Sequence, residues 1–345
     1  MALGEFWVHL SETNQTERSM TGSANASMST GLLGATGFVG TALRRQTSFD
    51  ACFHSKNVAE IEGREFATLV CAAAPGSMLE ANTSPERDRE QIHGLITRLS
   101  KVRAERFILI SSIAVLSDFA GQHVESTHDF QETLAYGRHR RELEAFVEDH
   151  FEQSLVVRLP ALFGRGLRKN FIFDLLNPVP SMLNEAKFTE LRDELSSELS
   201  ELVGQLYAKD EVTGLLKLDR AALNRDARRG ALDAAVNEHG LSATQFHNPQ
   251  TTYQYYEIDR LWRDIGIARE AGLSHLHCAC EPLAAKLIHK RLTGREMPET
   301  SARLHKEDMH TEHAQLWGVN GPYLYSAADT LEQLEAFFAG ERAPT

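Results

Sequence analysis

The sequence predicts an α/β protein: a doubly wound parallel sheet with a smaller interleaved C-terminal substrate region and a helical insertion. Three observations predict it. Short apolar runs recur along the first half of the chain: TGLLGA (30–35), FDACFH (49–54), ATLVCAAA (67–74), RFILISS (106–112) and SLVVRLPALF (154–163). Amphipathic segments such as PERDREQIHGLITRLSKVRA (85–104) separate most of them, and a glycine-rich turn follows the first. Strands that are apolar on both faces and joined through helices form a parallel sheet, because each crossover lays a helix over one face.

The elements follow in order. Residues 1–28 begin MALGEFWVHLSETNQTERS and read as a disordered tail, rich in Ser, Thr and Asn. The tail has no basic start and only a short apolar part, unlike a signal peptide. Met28 lies just before the first strand and is an alternative start to Met1. Residues 29–166 form the sheet domain. The stretch between its second and third strands is short, so a helix there is missing or reduced. Residues 167–345 form the substrate region, with an insertion over 183–245. In EAKFTELRDELSSELSELVGQLY (185–207), Phe188, Leu191, Leu195, Leu199, Leu202 and Leu206 recur every three or four residues, as on one helix face. A second helix is expected over RAALNRDARRGALDAAVNEH (220–239). The leucine stripe is expected to pack onto the host domain, since it is too short for a coiled coil. HNPQTTYQYYEID (247–259) returns to strand, and 265–282 returns to the main sheet.

Composition narrows the function. The chain has 345 residues, 42% hydrophobic and 24% charged, as in an ordinary soluble globular protein. Its formal charge of −12 disfavours nucleic acid and anionic membrane surfaces as partners, so an anionic ligand needs a local basic pocket. Four cysteines (Cys52, Cys71, Cys278, Cys280) make no disulfide framework, which fits a cytoplasmic protein. No apolar run reaches the roughly 20 residues that span a bilayer.

Three motifs carry chemistry. In GLLGATGFVGTALRR, Gly34, Gly37 and Gly40 sit between an apolar strand and a helix start. Glycines allow a tight turn and close backbone approach, and a helix N-terminus offers free N–H groups to a dinucleotide pyrophosphate. In RFILISSIAVL, Ser111 and Ser112 end a buried strand, where ligands of open parallel sheets bind; as a bare pattern they read more readily as helix caps or turn hydroxyls. In LAYGRHRRELE (134–144), Tyr136 and Arg140 lie one helical turn apart. A guanidinium near a phenol favours the phenolate, so Tyr136 could exchange a proton with a substrate oxygen. Taken alone, the same helix reads as a surface helix with solvated Arg138, Arg140 and Arg141. HLHCAC (275–280) gathers His275, His277, Cys278 and Cys280, but in a strand the histidines and cysteines take opposite faces, so no metal site is expected. His305, His310 and His313 have no zinc spacing and read as a surface loop or the rim of the substrate site.

Together these motifs resemble the extended short-chain dehydrogenase/reductase superfamily, which includes NAD-dependent epimerases, dehydratases and reductases. GATGFVG resembles its glycine loop, SSIAVL its Ser-Ser-x-x-Val-Tyr segment, and YGRHRRELE its Tyr-Gly-x-x-Lys-x-x-x-Glu helix with Arg140 in the lysine's place. VVRLPALFGRG resembles the segment lining the nicotinamide, YQYYEIDRLWRDI its later Tyr-Val-Asp-Asp-Val element, and HLHCACEPL its last sheet strand. The resemblance covers most of 29–300, outside the insertion.

The resemblance implies a Rossmann sheet with NAD(P) across its carboxyl edge, and a hydride transfer at a hydroxyl or carbonyl carbon, as in a sugar. It implies Tyr136 as acid/base, Ser112 on the substrate oxygen, and Arg140 holding the ribose and polarising Tyr136. Gly34, Thr36, Gly37, Phe38, Gly40, Ala73 and Pro160 are implied at the cofactor, and Ser111, Lys169 and Asn170 at the substrate. FHSKN offers no carboxylate after the second strand, and Lys56 could meet a 2′-phosphate, so the cofactor leans to NADP. The position near Tyr253, where nucleotide-sugar enzymes often carry Arg, has none here. A homodimer through the helices flanking Tyr136 is a family-level expectation. The alternative function is an NAD(P)-binding regulator that does no chemistry, motivated by Arg140.

Overall fold

The computed structural model describes residues 29–342. The tail expected over 1–28, and Met28 as a start, lie outside the described residues. Five strands form from the five apolar runs: β1 (Thr30–Leu33), β2 (Ala51–Phe53), β3 (Glu65–Cys71), β4 (Arg103–Ser112) and β5 (Ser154–Leu159). Between them lie α1 (Phe38–Gln46), a single 3-10 turn at Val58–Ile61, α2 (Met78–Thr83), α3 (Pro85–Leu99) and α4 (Ala135–His150). Pro85 opens α3 where its missing N–H costs nothing. The buried stripe of α3 is Asp88, Ile92, Leu95 and Leu99, so one carboxylate faces inward with the apolar side chains.

The run 154–163 was expected as one strand and is two. Pro160 has no N–H to continue the ladder, so β5 stays in the main sheet and β6 (Ala161–Phe163) leaves it. After β6 come α5 (Phe171–Leu176), β7 (Met182–Leu183), α6 (Glu185–Asp193), α7 (Ser197–Leu206), β8 (Tyr207–Lys209), β9 (Leu216–Leu218), α8 (Arg220–Arg225) and α9 (Arg229–Glu238).

The insertion therefore departs from the expected helical pair. It has four short helices and a small antiparallel sheet in the order β7-β9-β8. The leucine stripe is cut because Ser196 accepts the Leu199 N–H and caps a new helix, α7. The 220–239 segment is cut at Asp226, whose carboxylate accepts the Arg228 N–H at 2.8 Å and turns the chain. Nor does the stripe pack onto the host domain. Leu191, Leu195, Leu202 and Leu206 bury against Val179, Leu183, Leu218, Leu223, Leu232 and Val236, a cluster drawn wholly from 179–241.

The chain then returns through β10 (Thr252–Tyr253), β11 (Tyr255–Glu257), α10 (Leu261–Glu270), β12 (His275–His277), β13 (Leu283–Ala284), α11 (Ala285–Thr293) and α12 (Ala327–Arg342). β11 pairs in parallel with β6, and β10 pairs antiparallel with β13. The main sheet has six parallel strands in the order β12-β5-β4-β3-β1-β2.

Side chains alternate across this sheet. Leu32, Val70, Ile108, Val157 and Leu276 pack on one face with Ala42, Leu43 and Ile265 of α1 and α10. Leu33, Leu69, Phe107, Leu109 and Val156 pack on the other with Ile92, Leu99, Leu143 and Val147 of α3 and α4. This is the doubly wound Rossmann arrangement. The strand order reverses between β1 and β3, and the crevice outside the carboxyl ends of strands at such a switch point is where ligands of this architecture bind. No helix among the described residues is long and apolar enough to cross a membrane.

Candidate active site

The glycine loop sits at the switch point. Gly34 turns with φ +88°, and its N–H donates to the Phe53 carbonyl at 2.9 Å. A side chain there would strike the Ala72 carbonyl oxygen at 2.3 Å, so Gly34 fits only because it has none. Gly40 likewise lies against the Gly34 carbonyl; a Cβ would meet it at 2.1 Å. Gly37 differs: a Cβ there would meet only Gly34 O at 3.4 Å, and its φ of −70° suits any residue. The protein's own packing does not demand glycine at 37. The space beside Gly37 is open, and Gly37 caps α1 with no side-chain acceptor, leaving first-turn amides for an external anion. No acidic residue occupies that first turn. Thr36 and Gly37 are exposed at the loop tip, while Phe38 is half-buried against the core.

The neighbouring loops complete this rim. Lys56 is exposed in the turn after β2, which the Gly34 and Ala35 amides join to the glycine loop through Phe53 O. Ala73 follows β3, and its amide lies within 2.8 Å of where a Cβ on Gly34 would be. Pro160 is buried at the end of β5.

Ser112 and Tyr136 come from adjacent elements. Ser112 Oγ accepts the Ala114 N–H at 3.2 Å and starts the 3-10 turn Ile113–Val115. α4 lies tight on that turn because residue 137 is glycine: a Cβ there would sit 1.9 Å from Ala114 O. Tyr136 is half-buried beside this contact, and its backbone N–H donates to Asn82 Oδ1 at 3.0 Å. Its hydroxyl has no hydrogen-bond partner among the described residues.

Arg140 packs on Tyr136 and is also engaged by other elements. Its guanidinium stacks 3.8 Å from the centre of the Tyr136 ring. Nη1 donates to Asp88 Oδ2 at 2.7 Å and to Tyr136 O at 3.1 Å; Nη2 donates to Asp88 Oδ1 at 2.9 Å and to Pro75 O. Both terminal nitrogens are thus saturated, and the residue is 2% exposed. Only the buried Nε lacks a partner. The Asp88 carboxylate also meets His139 Nδ1 at 2.8 Å. Arg140 therefore braces α4 against α3 and the loop after β3. It has no donor left for a ribose at its tip, because the bidentate Asp88 pair takes the fork.

The residues expected at the substrate are partly engaged. Ser111 Oγ donates to Glu144 Oε1 at 2.6 Å. Asn170 adopts φ +100°; its Oδ1 accepts the Ile172 and Phe173 amides and its Nδ2 donates to Leu162 O, so its side chain caps α5. Lys169 Nζ donates to Gly76 O, across from Arg140. The atoms crowding its ammonium push the Lys169 pKa down, with Glu80 opposing and Arg140 adding to the fall.

Beneath the strand ends lies a buried polar network. Glu144 accepts from Arg158 Nε at 3.1 Å and Nη2 at 2.8 Å, and from Arg141 at 3.2 Å. Arg158 Nη1 lies 3.1 Å from His277 Nε2, whose Nδ1 lies 2.9 Å from His310 O. A neutral His277 protonated on Nδ1 satisfies both contacts. Glu125 ties the loop after Ser112 to this network: it accepts from the His277 amide at 2.7 Å and Thr311 Oγ1 at 2.6 Å. The other members of HLHCAC lie apart: His275 meets Glu148 at 3.0 Å, while Cys278 and Cys280 are buried in the core. His310 belongs to a strap that runs beside the loop after Ser112, its amide donating to His123 O at 2.9 Å.

Burial pushes the His277 pKa down to about 4, with Glu125 opposing and Arg158 reinforcing. The unfolded chain protonates His277 near pH 6.5, the folded protein only near 4. Its contribution to stability is therefore complete above pH 6.5 and lost as pH falls toward 4, at roughly 1.4 kcal/mol per unit. Urea unfolding between pH 7 and 5 should show this slope. His277→Gln, which keeps a donor and an acceptor, should flatten it; an unchanged slope would assign the titration to other groups.

Asp88, Glu144, Arg158 and His277 were not singled out in the sequence as site residues. A signal was available for two of them: Asp88 lies on the apolar stripe of α3, and Arg158 lies inside the apolar run of β5. A charge at a core position must find a partner.

Neither a protein-family model nor a curated protein matches the sequence. Solved structures do match its fold. dTDP-4-dehydrorhamnose reductase from Bacillus anthracis, solved with NADP, superposes with a TM-score of 0.56 at 14% identity, over 92% of this chain and 100% of that one. UDP-N-acetylglucosamine 4-epimerase from Methanobrevibacter ruminantium gives 0.56 at 9% identity, over 90% and 97%. UDP-glucose 4-epimerase from Thermotoga maritima, solved with UDP-glucose, gives 0.54 at 12% identity, over 91% and 99%. Matches at such identity establish the shared fold.

Proposed function

We propose that the protein is an NAD(P)-dependent oxidoreductase or epimerase acting on a hydroxyl or carbonyl carbon of a small molecule, with sugar derivatives as the substrate class. Gly37 carries this reading. It is a glycine that the fold itself does not require, at an uncapped helix N-terminus, beside the edge that bears Ser112 and Tyr136. The structural neighbours include a reductase solved with NADP and epimerases of nucleotide sugars, which supports the cofactor and the substrate class.

Gly34, Thr36, Gly37, Phe38 and Gly40 would hold the pyrophosphate, Ala73 the neighbouring ribose, and Pro160 the nicotinamide side. Lys56, with no carboxylate nearby on the FHSKN turn, favours a 2′-phosphate and hence NADP. When bound, the nicotinamide supplies or accepts the hydride. Ser112 keeps its hydroxyl proton free to donate to the substrate oxygen as negative charge grows there. Tyr136 passes its proton to that oxygen in reduction, or takes one in oxidation. Arg140 acts as a positioning residue: it stacks on Tyr136 and fixes α4 through Asp88.

Fluorescence titration tests the cradle. The wild type should bind NADPH saturably, and more tightly than NADH. Gly37→Val should abolish saturable binding while lowering the thermal midpoint by only a few degrees, because its side chain enters the space that the ligand needs and costs the fold little more than a poorer N-cap. Wild-type affinity in Gly37→Val would remove the basis of this reading. One observation favours a second reading, a binding protein without turnover: the saturation of Arg140 by Asp88. Tight NADPH binding with no hydride loss across a broad carbonyl screen would support it.

A further inference from the structure

We propose that Lys169 supplies the cation that faces the nicotinamide-side ribose beside Tyr136, a task for which neither terminal nitrogen of Arg140 is free. The inference rests on the NAD(P)-binding reading above.

The starting point is Arg140. Its four terminal N–H groups go to both oxygens of Asp88, to Tyr136 O and to Pro75 O. Its charge is neutralised within the fold by the Asp88 carboxylate, itself 4% exposed. An arginine held in this way is a brace, and releasing it would leave the buried Asp88 carboxylate with only His139 beside it. The site therefore has a tyrosine whose neighbouring cation on α4 has no terminal N–H to spare.

Lys169 differs in each respect. It enters from the loop between β6 and α5. Its ammonium donates to Gly76 O, the residue after the Pro75 carbonyl that Arg140 holds. The two cations thus grip consecutive carbonyls of one loop, the loop that follows β3 beside Ala73. Lys169 is exposed, so its long stem can swing. Among the described residues no carboxylate lies within ion-pair distance of it, and Gly76 O is its hydrogen-bond partner. Neutral carbonyls hold an ammonium more weakly than carboxylates do, so Lys169 can be recruited where Arg140 cannot. Two N–H donors of the ammonium remain free while the third rests on Gly76 O.

The pattern suggests a relocated cation. Arg140 holds the Pro75 carbonyl of the loop after β3 from α4, and Lys169 holds the next carbonyl from the loop before α5. Crowding around the ammonium lowers the Lys169 pKa, Glu80 opposes that fall, and Arg140 adds a smaller push in the same direction.

The test uses the full chain and NADPH. Lys169→Met keeps the unbranched apolar stem and removes the ammonium. It should weaken NADPH binding by about ten-fold or more, as expected for a lost charge-assisted hydrogen bond. Lys169→Arg should restore affinity to within about three-fold, since charge and reach are retained. ADP, which carries the pyrophosphate and the adenine side but no nicotinamide ribose, should bind wild type and Lys169→Met equally. If Lys169→Met binds NADPH as the wild type does, this assignment is overturned while the cofactor reading stands. If ADP weakens in parallel with NADPH, Lys169 serves the phosphates and the assignment is again overturned. If the wild type binds neither NADPH nor NADH, the cofactor reading fails and takes this one with it.

Discussion

Tyr136→Phe should lower carbonyl-dependent NADPH turnover by about 10²- to 10⁴-fold, the usual contribution of a positioned acid/base group. Binding of NADPH should stay within about two-fold of wild type. The substitution removes one oxygen. It keeps the ring that stacks on Arg140 and the half-buried packing around it. The hydroxyl has no partner among the described residues, so its loss leaves no buried group stranded and should barely change stability. That separation makes the experiment informative. Chemistry should collapse while the fold, the Arg140–Asp88 brace and the cofactor cradle persist. The measurement is NADPH oxidation with any carbonyl compound that a screen finds, beside a fluorescence titration. Undiminished turnover would show that another group moves the proton.

Glu144→Gln should destabilise the protein by about 3–5 kcal/mol, the range for breaking one partner of a buried ion pair. Glu144 is 0% exposed and Arg158 1%, and they meet at 2.8 and 3.1 Å. Glutamine is nearly isosteric, so the loss comes from charge. Arg158 would stay cationic in the interior, with a neutral His277 on its other side. The paired change Glu144→Leu with Arg158→Met should cost less than Glu144→Gln alone, because no charge is then left behind. Urea unfolding of Glu144→Leu, Arg158→Met and the double closes a cycle on this pair, with Glu144→Gln measured beside it. A Glu144→Gln loss under about 1 kcal/mol would mean that water reaches Arg158 and that the network is not dry. Ser111 donates to the same carboxylate, so the pair also holds the end of β4 beside Ser112.

Much of the fold was legible because its signals are local. Five apolar runs, each six to ten residues long, cannot satisfy their hydrogen bonds alone, and helices between most of them force parallel pairing. The turn after β1 was legible for a similar reason. Gly34 must adopt φ +88°, and only a residue without a side chain does so cheaply. The insertion was misjudged where local caps overrode periodicity. Ser196 and Asp226 offered side-chain oxygens to nearby amides and cut each expected helix in two. Its leucines then closed on one another, a choice that no spacing along the chain could reveal.

The sequence by itself determined the α/β class, the succession of strands, the glycine turn, and the order of Ser112, Tyr136 and Arg140. These depend on what each residue does to its own neighbours. Only the tertiary structure decided what Arg140 does. Asp88 stands 52 residues away along the chain, yet it takes both ends of the guanidinium inside a dry interface. A charged side chain is directed by the nearest opposite charge that shares its burial, and that partner is chosen by packing. The same reason makes Gly37 informative only in three dimensions: open space beside a glycine is a property of everything that does not fill it.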